Sequence, residues 1–375
     1  MKTILFIAGT RPEAIKIAPV YLEAQKRQGL HPVLCAAGQH TDLFDDALSA
    51  FRITPEIRLQ TMHPGQTLSQ LTGHLFHHIG HTISQVQPDA VLVQGDTLTA
   101  FTGGYSGFLQ QVPVYHIEAG LRTGDIRHPF PEEANRRALS IIASQHLAPT
   151  STARDNLLKE GVSPEMIHVT GNTSIDALHH IRRTLAAESE LLPAAPPADE
   201  TPHILVTGHR RENFGPGLQN LCQALLRIVH QHPSVHITYP VHPNPAVTGP
   251  IHEALGHHPN IHLIPPQGYM DFIRLMLRST FIISDSGGVQ EEAPALGKPV
   301  LVTRTTTERP EAILCGANLL VGVEADTIVE AACKLLTQPD KLQRMSAAGS
   351  PYGDGAASQR ICDLLQGKPV QPFTA

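Results

Sequence analysis

No run of apolar residues in this chain approaches the ~18 needed for a membrane-spanning helix, which excludes an integral membrane protein of helical type. There is no excess of positive charge: 28 Lys and Arg face 34 Asp and Glu, a formal net charge of −6, so no electrostatic footprint for nucleic acid exists. Cysteine is scarce, odd in number and without a CxxC pair, with residues only at 35, 222, 315, 333 and 362. A disulfide framework or structural zinc is therefore not expected, and a reducing cytoplasm fits best. The apolar stretch at 4–9 is too short for a secretory signal and has no small-residue cleavage site after it. Tandem repeats of 20–50 residues are missing as well. With 41% hydrophobic and 17% charged residues, however, the 375-residue chain has ample material for packed cores, and its length fits two or three domains.

What is present is a recurring strand–helix grammar. Thr3-Ile4-Leu5-Phe6-Ile7-Ala8 reads as a strand, and an apolar-periodic helix follows from Glu13, with Thr10 as N-cap and Pro12 in the first turn. Further short apolar runs lie at 33–37, 90–94, 112–117, 167–170, 203–207, 236–241, 261–264, 281–284 and 299–302, with helical patterns such as 66–86 and 217–231 between them. Alternation of this kind means parallel sheets covered on both faces. The Ala-, Pro- and acid-rich stretch 185–202 reads as a surface linker. It divides a first domain, 1–184, from a second, 203–355, followed by a C-terminal helix and tail, 356–375. Two doubly wound domains bind ligand at the carboxyl ends of their strands, so the site is expected in the cleft between them.

Strand ends carry the chemistry. Ser284-Asp285-Ser286-Gly287-Gly288-Val289-Gln290-Glu291-Glu292 follows a strand and opens a helix, which suits a diphosphate on Ser286, Gly287 and Gly288 with Glu291 or Glu292 on a ribose. A strand–helix turn with a capping Ser explains the same motif equally well. It is not GxGxxG, so a nicotinamide cofactor is disfavoured. Arg11 in Gly9-Thr10-Arg11-Pro12-Glu13 can clamp a phosphate, with Lys16 one turn on. Asp96 and Glu118 each end an apolar strand, and Pro131-Glu132-Glu133 opens a helix. Helix capping accounts for one such acid; three at one sheet edge repel one another and raise at least one pKa, as general acid/base work at a sugar carbon would use. The second half places His209-Arg210-Arg211, His242 and Arg309 after strands, the pattern of anion recognition. His74, His77, His78 and His81 have helical ligand spacing but no carboxylate or Cys on their face, so no metal is expected there.

Taken together, these residues resemble the non-hydrolysing UDP-N-acetylglucosamine 2-epimerases. The matching strings are GTRPEAIKIAP (9–19), GQHTDLFDDAL (38–48), GDT (95–97), HIEAGLRTGD (116–125), PFPEEANR (129–136), GNTSIDAL (171–178), HRRENFG (209–215), SDSGGVQEEAPALGKPVLV (284–302), TERPEA (307–312) and SPYGDGAASQRI (350–361). They run in order through essentially the whole chain. The resemblance implies a GT-B-like pair of Rossmann-like domains, with the C-terminal helix crossing back to the first. It implies interconversion of UDP-GlcNAc and UDP-ManNAc by anti elimination of UDP and re-addition, without cofactor or metal, in a cytoplasmic homodimer feeding surface polysaccharide synthesis. By position, Asp96, Glu118 and Glu132 match the catalytic carboxylates and His209 the essential histidine. Arg11, Ser286 and Gly287 match the diphosphate ligands, Glu292 the ribose ligand, Phe272 the backbone uracil contact and Lys16 an active-site lysine. Gln39, Arg210 and His242, with Glu132, match a second UDP-GlcNAc site that activates some members. Asp42 stands where some have Gln, Gly65 where some have Arg, and Pro243 and Ala246 are unusual, so activation is expected to be weak. A GT-B glycosyltransferase and a hydrolysing epimerase are the alternatives.

Overall fold

The computed structural model describes residues 1–38, 42–63, 65–191, 201–208, 215–242 and 244–374. They fall into two compact units, one of Met1–Ile181 with Tyr352–Ala375 and one of Arg182–Pro351.

The first unit begins β1 (Lys2–Ala8), α1 (Arg11–Lys26), β2 (Leu30–Ala36), α2 (Asp42–Ser49), β3 (Ile57–Arg58), α3 (Leu68–Val86) and β4 (Ala90–Gln94). It continues α4 (Leu98–Leu109), β5 (Val114–Ile117), α5 (Glu132–Ile142), β6 (Gln145–Ala148), α6 (Ser151–Lys159), β7 (Ile167–Val169) and α7 (Thr173–Leu191). Its seven strands form one parallel sheet in the order β3-β2-β1-β4-β5-β6-β7. Every residue of β4 is buried, as a strand covered on both faces requires. Leu5, Ile7, Val91 and Val93 pack against Leu75, Ile79 and Ile83 of α3 and Ala100 of α4. Helix α4 approaches its neighbours closely because Gly104 has no Cβ; one built there would stand 2.5 Å from Leu139 Cδ2 of α5.

The second unit comprises β8 (His203–Thr207), α8 (Pro216–Gln231), β9 (His236–Pro240), α9 (Pro245–Leu255), β10 (Ile261–Ile264), α10 (Tyr269–Arg278) and β11 (Phe281–Ser284). Then come α11 (Gly287–Ala295), β12 (Val300–Val302), α12 (Glu311–Leu314), β13 (Asn318–Leu320), α13 (Ala325–Thr337) and α14 (Pro339–Ala347). Its parallel sheet has the order β10-β9-β8-β11-β12-β13, the same winding as the first. The last helix, α15 (Ala357–Leu365), belongs to the first unit. Asp176 of α7 accepts the backbone N–H of Ser358 at 2.7 Å and of Ala357 at 3.3 Å, which satisfies two orphan donors at the start of α15.

The structure differs from the sequence reading in four places. Residues 185–191 are the last turns of α7 rather than linker, because Leu-Ala-Ala-Glu-Ser-Glu-Leu consists largely of good helix formers and the first proline comes at 193. Of the rest of the expected linker, residues 192–200 lie outside the described residues. Strands β3, β6 and β13 were not expected; two are very short, and β6 hides a fully buried His146 in a run that reads as polar.

Candidate active site

In a sheet wound 3-2-1-4, the connections leaving strands 1 and 4 go to opposite faces and open a crevice at their carboxyl ends. In the first unit those strands are β1 and β4. The turn after β1 places Arg11 at the first residue of α1, the turn after β4 carries Asp96, and Glu118 directly follows β5. Glu132 is the first residue of α5. Glu118 sits at φ +64°, a left-handed backbone that costs a non-glycine residue free energy and is found where structure over-determines it.

The acids are not left to repel one another. Lys16 pairs with Glu118 Oε2, and both side chains are nearly buried; Gln94 Nε2 donates to the same oxygen at 2.9 Å. Arg136 holds Asp96 through Nη2 and through Nε at 3.1 Å, while Asn135 Nδ2 donates to the Asp96 carbonyl at 2.8 Å. The remaining Arg136 nitrogen reaches Glu133 at 3.0 Å. Glu132 Oε2 is buried with no hydrogen-bond partner among the described residues, as is Glu133 Oε1. Beside this set lies Glu13, whose carboxyl burial raises to about 7.

The second unit repeats the crevice between β8 and β11. Thr207 and Ser284 join the two strand ends through their hydroxyls, 2.6 Å apart, and Ser284 Oγ accepts the Ser286 N–H at 3.0 Å. Ser286 precedes α11, whose first residues are Gly287 and Gly288, so free N–H groups and the helix dipole meet there. A Cβ at Gly287 would lie 2.7 Å from the Arg309 guanidinium carbon; only glycine lets that side chain lie against the turn. Arg309 bonds Glu291 at 2.6 Å and also Glu308, which pairs with Arg304 at 2.7 Å. This commits Glu291 to the interior. Glu292 accepts the Tyr269 hydroxyl at 2.9 Å, which ties α11 to the start of α10. Phe272 lies in the first turn of α10, its N–H donated to the Gly268 carbonyl at 2.9 Å. His242, exposed after β9, accepts the Asn244 N–H on Nδ1 at 3.2 Å.

A profile described as UDP-N-acetylglucosamine 2-epimerase matches residues 22–366. The chain is 45% identical over 372 residues to the UDP-N-acetylglucosamine 2-epimerase of Escherichia coli K12, with 98% of this chain and 99% of that one covered. The chain belongs to the non-hydrolysing UDP-N-acetylglucosamine 2-epimerase family. Among solved structures, the UDP-GlcNAc 2-epimerase from Neisseria meningitidis bound to UDP-GlcNAc superposes with TM-score 0.93 at 43% identity, over 98% of this chain and 100% of that one. The Methanocaldococcus jannaschii UDP-GlcNAc 2-epimerase in complex with UDP-GlcNAc and UDP gives TM-score 0.82 at 29% identity, over 97% and 99%. The GT-B-like pair of parallel-sheet units is the architecture these relatives share.

Within this epimerase chain, Arg11, Lys16, Asp96, Glu118 and Glu132 come from the carboxyl edge of the first sheet. Phe272, Ser286, Gly287, Gly288 and Glu292 come from α10, α11 and the turn before α11. Gln39, His209 and Arg210 lie outside the described residues. Sequence reasoning missed Glu13, Gln94, Asn135, Arg136 and Tyr269 as functional neighbours, although all but Gln94 and Tyr269 stand inside the matching strings; it assigned Arg309 to anion recognition, whereas that guanidinium is engaged by Glu291 and Glu308. Among the described residues no trio of His, Cys, Asp or Glu is arranged to hold a metal ion.

Beneath the Asp96 turn, His116 of β5 and His146 of β6 are register partners and fully buried. His116 Nε2–H donates to the Gly95 carbonyl at 2.7 Å, whereas neither nitrogen of His146 has a partner among the described residues. Burial lowers the first to about 3 and the second to about 4, from an ordinary 6.5. Both are thus neutral in the folded epimerase at pH 5, where the unfolded chain protonates them. The unfolded state binds more protons, so stability falls as pH drops below 6.5; at about 1.4 kcal/mol per pH unit for each, the pair removes about 3–4 kcal/mol by pH 5. Because Glu13, raised to about 7, opposes this loss, the histidines are read by difference: between pH 7.5 and 5, urea unfolding of His146→Leu is expected to show a loss about 2 kcal/mol smaller than that of wild type. An equally acid-sensitive variant would contradict the assignment.

Proposed function

We propose that the chain interconverts UDP-GlcNAc and UDP-ManNAc by anti elimination and re-addition of UDP. A carboxylate of the Asp96, Glu118 and Glu132 set takes the proton from carbon 2. The C–H electron pair becomes the C1=C2 bond of 2-acetamidoglucal, and the C1–O bond breaks with its electrons leaving on the UDP β-phosphate. Return of a proton to the opposite face of carbon 2 and attack of the phosphate oxygen on C1 give the epimer. Inversion by this route needs carboxyl groups on both faces of the sugar, and the carrying observation is a cluster of three at one sheet edge, two of them held by the buried cations Lys16 and Arg136. Charge developing on UDP falls to Arg11, His209, Ser286 and Gly287, with Gly288 in the same turn, Glu292 on the ribose, Phe272 at the uracil and Lys16 orienting Glu118. Bound UDP-GlcNAc in the Neisseria meningitidis relative supports the substrate.

Reaction in deuterated water tests the reading. Carbon-2 deuterium in intact UDP-sugar is the expected result; accumulating free UDP would instead mean a hydrolysing epimerase or a glycosyltransferase. Activation by a second UDP-GlcNAc at Gln39, Arg210 and His242 is weak in this reading, because Asp42 and Gly65 remove two contacts. UDP-ManNAc alone is therefore expected to convert without a lag, and a lag abolished by trace UDP-GlcNAc would refute this. A homodimer has support in Phe108, Leu109 and Ile141 of α4 and α5, which are 50%, 62% and 85% exposed. Among the described residues no helix is long and apolar enough to cross a membrane, and all five cysteines are free thiols. We place the enzyme in the cytoplasm, feeding surface polysaccharide synthesis.

A further inference from the structure

We propose that Glu13 is a positioning residue for the epimerase reaction: its carboxylate ties the turn carrying Arg11 to the turn carrying Asp96. The inference rests on Arg11 and Asp96 serving the reaction as proposed above.

Glu13 Oε2 accepts the N–H groups of Gly9 at 3.0 Å and Thr10 at 2.7 Å. Its other oxygen, Oε1, accepts the Thr97 hydroxyl at 2.6 Å from 84 residues away in the chain. The bond to Thr10 is the ordinary reach of an N3 glutamate back to the N-cap. The bond to Thr97 is not, since it crosses from the β1–α1 turn to the β4–α4 turn. Thr97 adjoins Asp96 and caps α4, accepting the Ala100 N–H at 3.0 Å. The two turns are also wedged together: a Cβ on Gly9 would stand 2.3 Å from Thr99 Oγ1.

Capping alone does not require burial, because an exposed N3 glutamate or glutamine satisfies the same donors. Glu13 is 1% exposed, and burying a carboxylate is costly even with three hydrogen bonds. Burial raises its carboxyl to about 7, opposed by the bonds from Thr97, Thr10 and Gly9. The charged side chains on the elements around it are Arg11 and Lys16 of α1, Asp96 of the β4–α4 turn, and their partners Glu118 and Arg136. Ionised, Glu13 accepts all three bonds. Protonated on Oε1, it must donate to a Thr97 oxygen that already accepts Ala100, and the tie between the turns reverses direction. Glu13→Gln reproduces the protonated arrangement, with the amide N–H toward Thr97.

The test is kcat of wild type and Glu13→Gln from about pH 6 to 8, with far-UV circular dichroism confirming that the variant is folded. A ratio of wild type to variant of about 10 at pH 8, shrinking towards 1 at pH 6, is expected from a small misplacement of reacting groups. Taking the ratio cancels titrations the two proteins share. A ratio that does not change with pH, or a variant equal to wild type throughout, overturns the positioning role. Asp96→Asn assayed alongside separates the two failures. Full turnover there removes the reading of the site itself, whereas a crippled Asp96→Asn with a flat ratio removes only the role of Glu13.

Discussion

Asp96→Asn, Glu118→Gln and Glu132→Gln are each expected to lower turnover by about 10²–10⁴-fold, the cost of losing a general acid or base. Affinity for UDP should stay within a few-fold of wild type, because the nucleotide contacts are assigned to other residues. The three changes differ in what else they disturb. Asn at 96 can still accept from Arg136 but no longer carries the charge that guanidinium pairs with. Gln at 118 leaves a nearly buried Lys16 ammonium facing a neutral amide, which costs stability as well as rate. Gln at 132 disturbs least, since Glu132 Oε2 has no hydrogen-bond partner among the described residues to lose. Turnover at saturating UDP-GlcNAc and calorimetric UDP binding check this, with thermal melts as the control for folding. Near wild-type turnover in all three would sink the carboxylate account.

The largest stability effect is expected from Arg309→Met, about 3–5 kcal/mol, the usual cost of removing one partner from a buried ion pair. The guanidinium lies against Gly287 and bonds Glu291 and Glu308, and both carboxylates are buried. Methionine fills much of the volume but leaves the two acids with Arg304, bonded to Glu308, as the neighbouring buried cation. Because Arg309 also supports the first turn of α11, UDP affinity should fall together with stability. This contrasts with the carboxylate variants, in which rate and affinity separate. Denaturant unfolding checks the first effect, and a loss below 1 kcal/mol would mean that the network does not hold the turn.

The two parallel sheets were legible because strands covered on both faces read as short continuous apolar runs, and nine such runs coincide with strands from β2 to β12. Strand β6 escaped because Gln145 and His146 break that signal although His146 is fully buried; its cost appears only once its neighbours are known. Asp96 and Glu118 were visible as candidates because an acid directly after an apolar strand is unusual. Lys16 was named too, but not as the partner of Glu118, and Arg136 was missed, since both arrive from helices whose inward face is decided by the sheet order. The same applies to Glu291 and Glu292, adjacent and chemically alike, which the fold separates by giving one Arg309 and the other Tyr269. Glu13 looks in the sequence like an ordinary capping acid; its bond to Thr97 exists only because β1 and β4 are neighbours.

The claim on which the rest depends is that the bond between carbon 1 and the β-phosphate oxygen breaks and reforms. UDP-GlcNAc labelled with ¹⁸O in that bridging position measures it directly. Once UDP has left, its β-phosphate oxygens become equivalent by rotation, so the account predicts label in the non-bridging positions of recovered substrate and of UDP-ManNAc. Label that stays wholly in the bridge while UDP-ManNAc accumulates would contradict elimination, and with it the roles given to the carboxylates and to the cations around the diphosphate.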